Sequence, residues 1–474
     1  MTPHRGAAAR RLDEPATQAE RLASFVSRAE WADLSPPARE ALKIRVLDSL
    51  GCAYGAIAGE PVRMLRKQVD EFGGNPLCTL IGGGRSAPDR AAFYNGALVR
   101  YLDYNDSYLA KGETCHPSDG LGAVLAAAEY AGIPGKEFLT ALAVAYQVQC
   151  RLSDAAPVRA RGFDHVTHGA IAAAAGAAKA LRLDPPRIAN AVAIAGTANN
   201  ALRVTRTGEL SHWKGLAAPN AGTAGLQAAF LAMRGVTGPR EMFEGVKGWM
   251  QVVSGPFEID WEEENLERVN RTILKKYNAE IHSQSAIEGM IGLMAEGGCA
   301  AAGIDRIRID IFDVAHLIIG GGAEGDKTVV RTKEEADHSL PYIVAVAALD
   351  GEVTPAQYSP ERIAREDVQR LLRRVEVVPD PAFSRRFPEA HACRLTVTLT
   401  DGRVLVQEMS EYEGFHTRPM SWEGAVRKFS AVAGERWPRA RLDSVVKAVR
   451  NLEKISVRSL VTHLDLEWKR EEST

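Results

Sequence analysis

Between Asp103 and Asp119 the chain places four carboxylates, five hydroxyls, one lysine and one imidazole in a single short connection. An unperturbed imidazole titrates near neutral pH, so His116 suits a general acid or base, with carboxylates close in sequence to orient it. The flanking segments, residues 91–99 and 120–131, are small and apolar and read as buried helices. Polar groups on a loop held between rigid elements suit proton transfer on a polar small molecule. The alternative is a solvated loop whose Asp and Ser residues only cap helices. His165 and His168 lie three apart, a spacing that can hold a metal, but no third ligand sits nearby in the sequence, so no metal is expected.

The elements that must position these groups change character along the chain. From residue 17 to 248 the pattern is helical almost throughout. Ser35-Pro36 predicts an N-cap with proline in the first turn. Helices rich in alanine and glycine, at 169–178, 189–198 and 220–232, predict close helix–helix packing in a large bundle. The Gly82-Gly-Gly-Arg-Ser run resembles a phosphate cradle but lacks the lysine spacing, and it reads as a turn after a short strand. Near residue 270 alternating segments begin, at 306–312, 374–378 and 393–399, the last running through Asp401-Gly402 into 403–407 as a hairpin. Helical pattern fills the gaps at 282–299, 339–349 and 362–373 and returns from 421 to 464. The expected organisation is a helical domain at 17–269, an α+β domain at 270–411, and C-terminal helices at 412–474 that rejoin the first domain. The expected fold class is mainly α, a large all-helical domain with an inserted smaller α+β lid domain.

Composition removes several classes of function. A net charge of −2 and a pI near 6.6 give no bulk reason to bind nucleic acid or an anionic membrane. Six scattered cysteines without a CxxC pair argue against a zinc knuckle or an iron–sulfur cluster, and suit a reducing compartment. No apolar run approaches the ~20 residues that span a bilayer. The basic N-terminal stretch through Leu12 has no apolar region after it and reads as a tail rather than a secretory signal. A cytoplasmic location is expected.

Five segments together resemble the MmgE/PrpD family. They are Tyr101-Leu-Asp-Tyr-Asn-Asp106 with His116-Pro-Ser-Asp119; Gly162-Phe-Asp-His-Val-Thr-His-Gly169; Trp213-Lys-Gly-Leu-Ala-Ala-Pro-Asn-Ala-Gly222; residues 274–288; and residues 337–351. That family includes 2-methylcitrate dehydratases, cis-aconitate decarboxylases and iminodisuccinate epimerases, and residues 280–285 and 337–342 look most like the first branch. The resemblance implies the helical domain with its inserted lid, a homodimer, and no cofactor. It also implies a hydro-lyase that dehydrates 2-methylcitrate or a similar tricarboxylate in propionate catabolism. The rivals are a decarboxylase or epimerase of the same family, and a catalytically silent tricarboxylate-binding protein.

Carried over by position, Asp103, Ser107, His116, His165, Lys214, Lys275 and Tyr342 fall on the family's active-site pattern. Lys214 and Lys275 would hold carboxylates and stabilise enolate-like charge. His116 and His165 are the candidates for base and acid. Asp103 would orient an imidazole, or act as base if burial raises its pKa. Tyr342 would donate to the leaving hydroxyl or a carboxylate. Ser107, Lys276 and His282 are expected on the substrate, although the adjacency of Lys275 and Lys276 leaves open which faces the site. His282 and His338 also admit a structural reading between lid and bundle.

Overall fold

Alanine and glycine decide how the first half of the chain packs. The computed structural model describes residues 15–298, 300–322, 325–434 and 436–465, so the basic N-terminal stretch and Cys299 lie outside it. Ser35 Oγ accepts from the Ala38 amide and starts the Pro36–Ala56 helix. The helices Pro88–Tyr101, Leu121–Ala131, Gly135–Ala155, Val166–Ala180, Pro185–Ala198 and Trp213–Met233 follow. Val166–Ala180 lies along Trp213–Met233 at backbone contact distance. A Cβ added at Gly225 would sit 2.5 Å from the Ala170 carbonyl oxygen and 2.7 Å from the Ala174 amide nitrogen. Only glycine allows that approach, which matters because these two helices carry His165 and Lys214 at their N-termini.

The C-terminal helices Trp422–Ala433, Arg439–Arg450 and Val457–Leu464 bury Phe429, Val449 and Leu460 in the same core as Val46, Tyr54 and Leu98. Tyr54 meets the rings of Phe429 and Trp437 at centroid distances of 6.0 and 5.2 Å. A second core belongs to the inserted α+β domain. The fold is therefore mainly α, a large helical domain with a smaller α+β domain inserted.

Three small sheets occur among the described residues. Strands β1 (Cys78–Thr79) and β2 (Arg85–Ser86) flank the glycine run, which forms a turn with all three glycines at positive φ. Strands β3 (Tyr108–Leu109) and β4 (Thr114–Cys115) form a hairpin inside the polar connection. The lid sheet has the order β6–β5–β7–β8, from β5 (Ile304–Ile311), β6 (Val375–Pro379), β7 (Cys393–Leu399) and β8 (Val404–Met409). Strand β5 runs parallel to β6 and antiparallel to β7, and β7–β8 is the hairpin across Asp401-Gly402. Helices Gln284–Gly297 and Leu340–Asp350 complete the lid core.

One expected element differs. Residues 362–373 do not form a single helix but two short ones, Pro360–Ile363 and Glu366–Leu372. Ile363 and Val368 are both buried, and in one continuous helix they would point about 140° apart. Arg365 takes an extended conformation between them and restores both to the core.

Candidate active site

The polar connection is buried, not a solvated loop. Asp103, Asn105, Asp106, Ser107, His116, Ser118 and Asp119 are all at most 7% exposed. Burial of so many polar groups requires partners, and Asp106 provides the frame. Its carboxylate accepts from the Ser118 amide and hydroxyl and from the Tyr146 hydroxyl. Ser107 exchanges two backbone hydrogen bonds with Ile273, of 2.9 and 2.8 Å, which brings the segment carrying Lys275 alongside. Asp103 ends the Pro88–Tyr101 helix at a left-handed φ of 54°. That turn places its carboxylate 2.6 Å from Arg100 Nη1, 2.7 Å from Lys275 Nζ and 3.4 Å from Lys214 Nζ.

Four imidazoles line one cavity. His116 Nδ1 lies 2.7 Å from the Asp106 carbonyl and 3.0 Å from Ser107 Oγ. A carbonyl only accepts, so Nδ1 carries the proton and Nε2 presents a lone pair. His165 Nδ1 faces Asp164 at 3.3 Å, and its buried Nε2 has no partner. The two rings meet edge to face at 5.3 Å. His282 Nδ1 bonds Glu280 at 2.7 Å, again leaving Nε2 without a partner. His338 comes from the lid: its Nδ1 is 2.6 Å from Asp337 Oδ1 and 2.9 Å from Lys214 Nζ.

The cavity, about 440 Å³ counting its open mouth, lies between bundle and lid, with Ile318 of the lid in its wall. Five cations line it, Arg100, Arg159, Arg203, Arg206 and Lys275, against two carboxylates, Asp103 and Glu280. Asp164 stands behind Arg206 and Arg203, and Glu113 behind Arg159. The field is positive toward the cavity, as an anionic ligand needs.

That field sets the protonation states. Burial, reinforced by Arg100 and Lys275, holds His116 well below the ordinary imidazole range. Burial does the same to His165, outweighing Asp164. Both rings are therefore neutral at neutral pH, the form in which an imidazole accepts a proton. Asp103 goes the other way: burial would raise it, but Arg100, Lys275 and Lys214 together hold it well below the usual carboxylate range. Burial pulls the Lys214 ammonium down, against Asp337 and Asp103. Glu280 is held down at about 2, its desolvation outweighed by the charge interaction and hydrogen bond with His282 and by His338 and Lys275.

Of the residues singled out from sequence, Asp103, His116, His165 and Lys275 line the cavity together with His282, and Lys214 borders it on the far side of Asp103. Four expectations change. Asp103 is a clamped carboxylate whose nearest imidazole is His338, at 3.7 Å, so it does not serve as a base of raised pKa. Ser107 spends its hydroxyl on His116 and so orients the ring. Lys276 points away to Glu288 and Glu413. Tyr342 is fully buried in the lid core, its hydroxyl donating to the Gln357 carbonyl.

His168 also turns away from its neighbour His165, with Nε2 on the Ala156 carbonyl, so the pair does not converge on a metal. Asp103, Asp337 and His338 do bring ligand atoms within 4.8 Å of one another. Their carboxylate oxygens already hold Arg100, Lys275, Lys214 and Lys333, so a metal cation would have to displace ammonium and guanidinium groups. This donor set does not fit a metal.

Sequence reasoning missed Arg100, Asp337, Lys333 and the arginines 159, 203 and 206, and gave His338 only a structural reading between lid and bundle. His338 stands beside Asp337 in a quoted motif, but its partner Lys214 is 124 residues away.

A large helical domain with an inserted α+β domain, joined over an imidazole- and arginine-lined cavity, defines the class. Residues 20–262 match the MmgE/PrpD N-terminal domain and residues 277–454 the MmgE/PrpD C-terminal domain. The chain belongs to the MmgE/PrpD family. It is 29% identical over 451 residues to a 2-methylcitrate dehydratase of Cupriavidus necator, covering 89% of this chain and 91% of that one. It is 29% identical over 399 residues to the 2-methylcitrate dehydratase of Escherichia coli K12, covering 79% and 81%. To the cis-aconitate decarboxylase of Mus musculus it is 26% identical over 451 residues, covering 89% and 88%. No described helix is long and apolar enough to cross a membrane.

Proposed function

We propose that this protein is a carbon–oxygen hydro-lyase that dehydrates 2-methylcitrate or a closely similar tricarboxylate, using side chains alone. The observation that carries the reading is a neutral, buried imidazole, His116, with its Nε2 lone pair open among five cationic side chains. Dehydration removes a proton beside a carboxylate, and that needs a base that is unprotonated at working pH, which for an imidazole is the neutral ring. The negative charge then grows on the substrate carboxylate, where fixed guanidinium and ammonium groups stabilise it without reorganising. Arg100, Lys275 and the three arginines 159, 203 and 206 supply those groups. Ser107 and the Asp106 carbonyl hold the His116 ring in the accepting tautomer. The relatives named as 2-methylcitrate dehydratases support the substrate, and propionate catabolism is the setting that substrate brings with it.

The test is turnover of synthetic 2-methylcitrate and of citrate by chelator-treated protein, following alkene absorbance and CO2 release together. Alkene without CO2 is the expected outcome. CO2 release from cis-aconitate would instead place the chain with the decarboxylase relative. Binding of tricarboxylates without turnover would leave a silent binding protein.

A further inference from the structure

Dehydration also needs a proton donor for the departing hydroxyl, and three of the four cavity imidazoles are poorly built for that role. His116, His165 and His282 each have Nδ1 against an oxygen that only accepts: the Asp106 carbonyl, the Asp164 carboxylate and the Glu280 carboxylate. In the neutral ring this puts the proton on Nδ1 and leaves Nε2 bare. They are arranged as bases.

His338 differs. A cation, Lys214, points at its Nδ1 from 2.9 Å, and Asp337 Oδ1 lies 2.6 Å from the same nitrogen. Lys214 Nζ is itself 2.8 Å from Asp337 Oδ1, so the three groups close a triangle. An ammonium only donates. When Lys214 donates into Nδ1, the ring proton must sit on Nε2. When the ring is an imidazolium, Nδ1–H faces Asp337 and Nε2 again carries a proton. In both states Nε2–H looks toward the ionised Asp103, 3.7 Å away at the cavity wall; only the third state, a neutral ring donating from Nδ1–H to Asp337, leaves Nε2 bare.

We propose that His338 is the general acid of the dehydration, protonating the departing hydroxyl from Nε2 and recharged at Nδ1 from Lys214. The inference rests on the dehydratase reading above. As the C–O bond breaks, its electron pair leaves with the oxygen, which takes the Nε2 proton and departs as water. The pair left by the C–H bond, whose proton goes to His116, becomes the new C=C bond. Nδ1 accepts a proton from Lys214 as Nε2 gives one up, so His338 ends as the neutral Nδ1–H tautomer facing Asp337. Lys333 on the other Asp337 oxygen, at 2.8 Å, keeps that carboxylate charged while Lys214 is neutral. Solvent restores both protonation states after product leaves. The Nδ1 contacts set the ring's orientation, and Asp103, tied to Arg100 and Lys275, attracts Nε2–H from 3.7 Å until the substrate hydroxyl arrives.

The experiment compares wild type with His338→Gln on two substrates, the hydroxy acid and its analogue with fluoride in place of the hydroxyl. Fluoride departs without needing a full proton. The expected result is a loss of about 10²–10⁴-fold in kcat on the hydroxy substrate, and less than tenfold on the fluoro analogue. Retained turnover of the analogue also shows that the variant is folded. Equal losses on both substrates, or no loss on either, would overturn the assignment. Absence of turnover by the wild type would instead reject the dehydratase reading. A second measurement does not need turnover: ¹⁵N spectra of histidine-labelled protein, with His338 assigned by its missing signals in the variant. Nδ1 of His338 is expected in the unprotonated or imidazolium range while His116 shows Nδ1–H. A neutral Nδ1–H tautomer for resting His338 would also overturn the proposal.

Discussion

Arg100 stands between two carboxylates that the fold treats in opposite ways. Asp103, at 2.6 Å, is held ionised by three cations. Asp119 lies 3.7 Å from Arg100 Nε and accepts from Asn105, but its second oxygen is buried without a partner. Desolvation pushes Asp119 up to about 6, outweighing the attraction of Arg100 and Arg206. The consequence for stability has a definite sign. An unfolded aspartate titrates near about 3.9, so between that pH and about 6 the folded protein holds a proton the unfolded chain has released. Stability contributed by the protonated form is present at low pH and lost as pH rises through this window. Holding the carboxyl up at about 6 corresponds to a cost on the order of 3 kcal/mol at neutral pH. Asp119→Asn keeps an acceptor for Asn105 and removes the charge. Urea melts should show it more stable than wild type at pH 7.5, with the advantage vanishing near pH 4. A variant that is weaker at pH 7.5 would show that Arg100 depends on the Asp119 charge more than burial penalises it.

Elements hold these residues at fixed separations because small side chains let backbones touch. Gly225 is the clearest case: its missing Cβ is what lets the helix starting at Lys214's turn lie on the helix that starts beside His165. Gly225→Ala forces the two apart, a cost of about 1–3 kcal/mol for overpacking. It should also lower kcat, since it shifts His165 relative to Lys214. Gly292, in the Gln284–Gly297 helix, has nothing within 4 Å of an added Cβ. Gly292→Ala should gain roughly 0.5–1 kcal/mol from helix propensity and leave kcat alone. Equal effects of the two substitutions would sink the argument. At this scale the sequence was readable where one periodicity decided the outcome. The alternation in β7 and the Asp401-Gly402 turn define the lid hairpin, and the alanine-rich runs define close-packed helices. It was less readable where partners are distant. Nothing local distinguishes Lys275 from Lys276; the Ser107–Ile273 bridge fixes that register across more than 160 residues. Tyr342 shares its motif with His338, yet His338 lies in the turn before the Leu340–Asp350 helix and faces the cavity, while Tyr342 in the first turn of that helix is a core phenol. The polar connection is legible as chemistry but not as buried, because Tyr146 and the Lys275 segment that enclose it come from elsewhere in the chain.

At the scale of the whole molecule, the last helices close the first core and also reach the buried polar connection. Lys428, from the Trp422–Ala433 helix, lies 2.6 Å from Asp48 Oδ1 and donates to the Tyr104 carbonyl at 2.8 Å. Its ammonium also sits 3.9 Å from the centre of the Tyr104 ring. Tyr104 follows Asp103, so one cation joins the Pro36–Ala56 helix, the C-terminal helices and the loop whose Asp103 pairs with Arg100 and Lys275. Burial already pushes Asp48 upward, and Lys428 opposes that push. Lys428→Met should therefore cost about 3–5 kcal/mol, most of it from leaving a carboxylate buried without its cation. Adding Asp48→Asn should recover much of that loss, because a neutral amide needs no counter-charge. The Tyr104 carbonyl would still lack its ammonium in the double variant, so turnover should stay depressed after stability returns. Denaturant melts and kcat measured on the two single variants and the double variant separate the effects. If stability and turnover recover together, Lys428 is only a core ion pair. If stability alone recovers, the C-terminal helices hold the polar connection through Tyr104, and those helices must be in place before the site can form.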